Sequence, residues 1–277
     1  MGKNGQVQSI RGTELVRKLV EEGDRLFTVE RARELAPSVG LAENYLRESL
    51  HYLARSGWVV RLRKGLYALS SSAPGVSPVH EFEIAMALVH PAAISHLSAV
   101  HHHGMTEQIP REIFVLTTTG ATIPRSHDKK GASGGAVLIE NVAYHFVQVK
   151  PDHYFGIEDV WVNDARVKMT DPERTVLDGL LAPEYCGGFA EVLHIFETHM
   201  SKLNLEKLIS YALKLDGATI KRTGWILEQF GANAKIAKPL LDVPIKGYRI
   251  LDPSGTHQGH CNIRWRIQEN LPGNLKR

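Results

Sequence analysis

The segment 58–69, WVVRLRKGLYAL, constrains the fold of this chain more than any other segment. Two short apolar runs, 58–62 and 66–69, are separated by a basic stretch that ends in Gly65. Glycine adopts the positive φ that a tight hairpin turn requires at little steric cost. The segment therefore predicts a β-hairpin with a basic tip.

Three helices are predicted in front of this hairpin. Apolar residues at helical spacing predict the first over 12–23 and the third over 42–56, which Gly57 ends. Thr28 is the expected N-cap of a second helix over 29–36, and residues 38–40 are expected to form a tight turn. Three helices with a short turn between the last two, followed by a two-stranded hairpin, are the order of a winged helix-turn-helix. We assign residues 1–72 to this domain.

The charge distribution favours DNA as the partner of this domain. Residues 1–73 carry twelve Lys and Arg against eight Asp and Glu, whereas the rest of the chain carries 21 against 22. In such a domain, the third helix reads base edges, and cations of the wing contact phosphates or enter the minor groove. Other interpretations are a solvated helix face and an edge hairpin whose charges prevent aggregation. The predicted DNA-binding residues are Asn44, Tyr45, Arg47 and His51 on the helix and Arg61, Arg63 and Lys64 in the wing.

The stretch 70–78, rich in Ser, Pro and Gly, predicts a linker. We assign residues 73–277 to a larger, mixed α/β C-terminal domain of one or two subdomains, so the fold class of the chain is α+β. A charged, glycine-rich loop is expected at 126–135 and a proline- and glycine-rich tail at the end. Helices are predicted over 79–89, 92–103, 172–181, 189–199, 205–215 and 219–230, and strands over 113–118, 144–149 and 165–169.

Four histidines, His96, His101, His102 and His103, fall within one predicted helix. Successive side chains on a helix turn by about 100°, so the last three cannot all bind one metal ion. No HExxH pattern is present, and a nonlocal ligand would be needed to complete a site. Structural or surface roles are therefore favoured, and we expect neither a metal nor a cofactor.

No motif for catalysis assembles along the chain. Neither a glycine-rich nucleotide loop nor a GxSxG nucleophile elbow occurs. A metal-dependent nuclease would have to draw on Asp152, Glu158, Asp159, Asp164 and Lys168, whose spacing on an expected loop favours a solvated face. We predict that the protein is not an enzyme and has no catalytic residue.

The remaining composition favours a cytoplasmic protein. The N-terminus lacks the apolar core of a secretory signal, and no apolar run approaches the length of a membrane span. Cys186 and Cys261 belong to no CxxC pair and are expected to be reduced thiols.

Three segments resemble the AbiEi family of antitoxins, from the type IV class of bacterial toxin–antitoxin systems. The first is the wing, GWVVRLRKGLYAL. The second, AISHLSAVHHHGMTEQIPREIFVLTT, is similar to a family helix that ends in a His-Gly corner, here His103-Gly104, and precedes a strand. The third, MTDPERTVLDGLLAPEYCGGFAEVL, resembles a helix with an Arg-Thr-x-x-Asp pattern before a Gly-Gly turn, and the tail YRILDPSGTHQGHCNIRWRIQEN also fits.

The resemblance implies an antitoxin that neutralises a nucleotidyltransferase-like toxin through its C-terminal domain. It also implies repression of its own operon by binding paired operator repeats through the N-terminal domain, and it does not require a stable complex with the toxin. Two alternatives are a DNA-binding regulator whose second domain senses a ligand and a nuclease targeted by a winged helix. The nuclease alternative ranks last, because the segment after Asp178 is predicted helical and lacks an acid-acid-lysine core.

Overall fold

The computed structural model describes residues 3–71, 75–124, 136–139 and 141–271. The chain divides into two compact units. The first unit comprises residues 1–90, 122–142 and 162–165, and the second comprises 91–121, 143–161 and 166–277. The first unit thus extends past residue 72, where the sequence placed the boundary, and takes in two later segments. The assignment of 73–277 as an antitoxin domain stays a prediction.

The first unit contains the predicted winged helix-turn-helix, which confirms this part of the fold. Its elements are α1 (Lys3–Glu22), β1 (Leu26–Thr28), α2 (Val29–Leu35), a short 3-10 helix (Ala36–Val39), α3 (Glu43–Arg55), β2 (Val59–Arg63) and β3 (Leu66–Leu69). The three strands form an antiparallel sheet in the order β1-β3-β2. Strand β1 was not predicted, because three residues are too few to show an alternating pattern.

Local sequence signals explain the bounds of these helices. The Thr28 hydroxyl accepts a hydrogen bond from the backbone N–H of Arg31 at 3.2 Å, as its predicted N-cap role requires. Gly40 adopts a φ of 68° and ends the 3-10 helix, and Gly57 adopts a φ of 76° just after α3. The apolar faces of α1 and α3 are buried against each other in one core, formed chiefly by Leu15, Leu19, Leu46, Leu50 and Leu53.

Residues beyond the wing complete the first unit. Helix α4 (Glu81–Leu88) is capped by the His80 side chain, which accepts from the Phe82 N–H. The Arg25 guanidinium pairs with Glu83 of this helix and with Asp164, each at 3.0 Å. These ion pairs join distant segments of sequence to the start of β1 and explain why the unit does not end at the linker.

The second unit is built on a mixed sheet. In chain order the next strands are β4 (Ala93–Ile94), β5 (Glu112–Thr118), β6 (Val137–Ile139, in the first unit), β7 (Val142–Val149), β8 (Ile157–Val162) and β9 (Ala165–Thr170). The strands of the second unit lie side by side in the order β7-β5-β4-β9-β8. Strand β5 runs parallel to β7 and antiparallel to β4, which runs parallel to β9.

Two predictions for this sheet were wrong. The helix expected over 92–103 begins only at His96, because Ala93 and Ile94 pair with strands on both sides. The acidic stretch around Asp159, expected as a loop, forms strand β8. Neither short strand alternates apolar and polar residues clearly enough to be recognised. The loop predicted at 126–135 lies outside the described residues.

Helices cover the rest of the second unit. They are α5 (His96–His102), α6 (Pro172–Leu181), α7 (Phe189–His199), α8 (Leu205–Ala212), α9 (Gly217–Gln229) and α10 (Ala234–Asp242), followed by the strands β10 (Arg249–Ile250), β11 (His260–Asn262) and β12 (Ile267–Glu269). Helices α6 and α7 have the predicted bounds, whereas α10 was not predicted, because Pro239 lies inside it. Trp265 is 1% exposed and packs against Gly224 of α9, where any side chain would collide with the indole ring. Across the described ranges we find no helix with the length and apolar character needed to span a bilayer.

Candidate nucleic-acid interface

A cleft of about 790 Å³ lies within the first unit, between the helices α2 and α3 and the wing formed by β2 and β3. Five of the seven predicted DNA-binding residues line this cleft: Asn44, Arg47, His51, Arg61 and Lys64. They come from segments that are separate in sequence, and the fold brings them to one surface. We call this surface the α3–wing cleft.

The amphipathic character of α3 explains why its polar side chains reach the cleft. Leu46, Leu50 and Leu53 are buried in the domain core. Asn44, Arg47 and His51 are spaced by three and four residues, so they project from one face of the helix, and all three are exposed. This is the position from which a recognition helix reads the major groove.

The wing is held in place by its own backbone. Arg61 lies opposite Tyr67 in the β2–β3 ladder, and the register then shifts between Arg61 and Arg63. Gly65 adopts a φ of 81° in the turn, and its carbonyl accepts a hydrogen bond of 3.0 Å from the backbone N–H of Val29. This bond fixes the wing tip beside the start of α2, so that Lys64 lines the cleft.

Four cations of α3 and the wing have no acidic partner in the described part of the chain. Among the described residues, no carboxylate lies within ion-pair distance of Arg47, Arg61, Arg63 or Lys64. Unpaired, exposed cations on one surface are the arrangement that binds a polyanion, since phosphate neutralises them without the loss of an internal ion pair.

Two predicted residues lie outside the cleft. Tyr45 follows Asn44 by one residue, so its side chain is turned away by about 100°, and it is 38% exposed. Arg63 is exposed next to the wing tip but does not line the cleft. A contact by either residue with DNA stays a prediction, as it does for the other five.

Sequence reasoning missed four polar residues of the cleft, Glu30, Arg33, Glu43 and Tyr67. Arg33 lies in the last turn of α2, and its Nε forms an ion pair with Glu43 Oε1 at 2.8 Å. Tyr67 stacks on Phe27 with ring centroids 5.7 Å apart. The position of Glu43 at the start of α3 was a usable signal, because the N-terminal residues of a recognition helix contact bases.

The four histidines occupy different environments in the second unit. His96 is 2% exposed, and its Nδ1 lies 2.8 Å from the Ser95 hydroxyl. Burial lowers the pKa of His96, against the opposing charge of Asp178. His103 Nε2 lies 2.8 Å from the Thr170 carbonyl oxygen, whereas His101 and His102 are exposed. Within the described ranges, no three His, Cys, Asp or Glu side chains are grouped so that they could hold a metal ion.

The carboxylates considered for a nuclease are dispersed into surface ion pairs. Asp159 on β8 pairs with Arg166 at 3.1 Å and with Lys168 at 3.4 Å. Asp164 pairs with Arg25 of the first unit, and Asp152 and Glu158 are exposed. Since Lys168 neutralises Asp159 on an exposed hairpin, this set does not form the convergent carboxylate site that metal-assisted hydrolysis needs.

Comparison with solved structures shows that the fold is shared with another protein. The crystal structure of the RV2827C protein from Mycobacterium tuberculosis has a TM-score of 0.67 to this chain at 13% sequence identity. The match covers 93% of this chain and 90% of that chain. No curated protein sequence matches this chain.

The family comparison concerns the winged helix. Residues 14–70 match the protein family described as "Transcriptional regulator, AbiEi antitoxin". The matched segment contains α2, α3 and the whole wing, and thus all seven predicted DNA-binding residues. Over residues 14–70 the chain is thus similar to the AbiEi antitoxin transcriptional regulators, in agreement with the resemblance recognised from the sequence.

Proposed function

We propose that this protein is the antitoxin and autoregulator of a type IV toxin–antitoxin pair, and that it acts in the cytoplasm as a regulator rather than an enzyme. Its winged helix binds paired operator repeats in front of its own operon. Its C-terminal part neutralises a nucleotidyltransferase-like toxin, with or without a stable complex. The observation that carries the proposal is the α3–wing cleft, where a recognition helix and unpaired cations share one surface.

The geometry supports different roles for α3 and the wing within this cleft. Asn44, Arg47 and His51 project from α3 and read bases in the major groove, where Asn suits adenine and Arg suits guanine. Arg61 and Lys64 on the wing contact phosphate and set the register of the helix on the duplex. Two molecules bind the paired repeats, so half-sites one helical turn apart, or a multiple of it, are expected.

Repression of the operon tests the first half of the proposal. A reporter gene is placed behind the protein's own promoter, and repression is measured for the wild type and for Arg47→Ala. We expect the variant to lose repression while its abundance is unchanged, because Arg47 is exposed and contributes nothing to the core. Arg55→Ala, which removes one exposed cation of α3 that does not line the cleft, is the matched control. Equal repression by wild type and Arg47→Ala would remove α3 from the proposal.

Co-expression with the adjacent gene tests the second half. A deletion of residues 1–70 would remove the winged helix, but it would also remove the residues of the first unit that contact residues 81–88 and 164. Point variants therefore separate DNA binding from neutralisation more cleanly. We expect wild type and Arg47→Ala to rescue growth equally when the neighbouring gene is induced, because neutralisation does not use the cleft. Failure of the wild type to rescue would refute the antitoxin role and leave the regulator with a ligand-sensing domain as the alternative.

A further inference from the structure

We propose that Glu43 is a specificity-determining residue of the α3–wing cleft, and that Arg33 is its positioning residue. The Glu43 carboxylate accepts a hydrogen bond from a base amino group in the major groove, with cytosine N4 as the donor. This inference rests on the proposed function, because it names what the cleft distinguishes rather than whether it binds DNA.

A surface that only binds phosphate is not expected to contain a carboxylate, because the two negative charges repel each other. The cleft is lined by four cations, Arg33, Arg47, Arg61 and Lys64, and also by Glu30 and Glu43. At the start of α2, the backbone N–H of Glu30 and the Thr28 hydroxyl lower the pKa of the Glu30 carboxylate. The Glu43 side chain is 73% exposed, so it meets the DNA surface and repels phosphate unless it finds a hydrogen-bond donor.

The ion pair with Arg33 sets the direction of the Glu43 carboxylate. Arg33 Nε on α2 lies 2.8 Å from Glu43 Oε1 on α3, within ion-pair distance. One carboxylate oxygen is thus held by the neighbouring helix, and the other remains available to accept a hydrogen bond. Pairing with Arg33 also reduces the repulsion between Glu43 and the backbone of the duplex.

The position of Glu43 on α3 matches the part of a recognition helix that reaches base edges. It is the first residue of the helix and directly precedes Asn44. Carboxylates accept from cytosine N4, whereas the neighbouring Asn44 suits adenine. A carboxylate in the first turn also interacts favourably with the helix dipole, but that role carries no preference for a base.

The test uses a library of DNA duplexes with a randomised stretch two helical turns long. Bound duplexes are sequenced for the full-length wild type, for Glu43→Ala and for Glu48→Ala. Both variants remove one exposed carboxylate from α3 and introduce a residue that favours the helix, but Glu48 does not line the cleft. Binding to one scrambled duplex is measured in parallel, as is base preference for Arg33→Gln.

We expect the wild type to select cytosine at one position of each half-site. Glu43→Ala should lose that selection, by about tenfold or more, and keep the preferences at the other positions. It should also bind the scrambled duplex more tightly, because one repulsive charge is gone. Glu48→Ala should retain the wild-type selection, and Arg33→Gln should weaken the cytosine selection without changing the position at which it occurs.

Each outcome bears on a different claim. Identical selection by wild type and Glu43→Ala would overturn the inference and leave the proposed function intact. Loss of selection at every position in Glu43→Ala would also overturn it, because Glu43 would then support the fold of α3 rather than read one base. A wild type that selects no sequence would refute sequence-specific binding itself, and this inference with it.

Discussion

Replacement of Arg61 and Lys64 by glutamine tests whether the cations of the wing contact phosphate. Both side chains are exposed, line the α3–wing cleft and lack an acidic partner among the described residues. Their loss should therefore leave the fold intact and remove two phosphate contacts. Glutamine keeps a polar side chain of similar length, so the change is mainly one of charge.

The expected change in the salt dependence of DNA binding follows from the release of counterions. Each phosphate contact contributes about 0.9 to the slope of log affinity against log salt, so the double variant should lower the slope by about 1.8. A fourfold rise in salt concentration should then lower the DNA affinity of the wild type by a factor about 12 times larger than that of the variant. The loss should be similar for specific and scrambled duplexes, since phosphates carry no sequence information.

Fluorescence anisotropy of a labelled duplex, titrated with protein at several salt concentrations, measures the slope. Arg17→Gln with Lys18→Gln is the matched control, because it removes the same charge from α1, where both cations pair with acids of their own helix. This control should keep the wild-type slope. Equal slopes for the wild type and the Arg61/Lys64 variant would refute the assignment of the wing to phosphate.

Two further predictions concern the stability of the second unit, both measured by urea unfolding. Asp178→Asn should destabilise the protein by about 3–5 kcal/mol, because it leaves the buried Arg174 guanidinium without the carboxylate that lies 2.8 Å from it in the wild type. A change no larger than that of Glu14→Gln, at a half-exposed surface ion pair, would contradict this. The pKa of His96 is lowered by burial, so below about pH 6.5 the unfolded chain binds a proton that the folded chain does not. The free energy of unfolding should then fall by up to ~1.4 kcal/mol per pH unit as the pH drops below that point. His96→Asn, which tolerates the φ of 48° there, should remove this contribution, whereas the exposed His101→Asn should not.

The winged helix was predictable because its signals are local. Thr28 caps α2, Gly57 follows α3, and Gly65 turns the hairpin, each within a few residues of the feature that it sets. The bounds of α6 were predictable for the same reason, since Asp171 and Pro172 mark its start. Such signals depend on backbone conformation and short-range hydrogen bonds, which a sequence displays directly.

Elements that depend on distant partners were missed. The strand of Ala93 and Ile94 has only two residues, and it exists because β5 and β9 flank it. The C-terminal strands form around Trp265, which is buried against a glycine some forty positions earlier in the chain. Burial between distant segments leaves no periodic pattern in so short a stretch.

The sequence by itself determined the winged-helix type of the N-terminal domain and the residues proposed for its DNA interface, because helix caps, turns and amphipathic faces are local properties. Only the tertiary structure decided which of these residues share one surface. It placed Arg61 and Lys64 beside Asn44, Arg47 and His51, turned Tyr45 to another face, and joined Glu43 to Arg33. These arrangements depend on how α2, α3 and the wing pack around a common core, and packing between segments far apart in sequence is what a single sequence does not display.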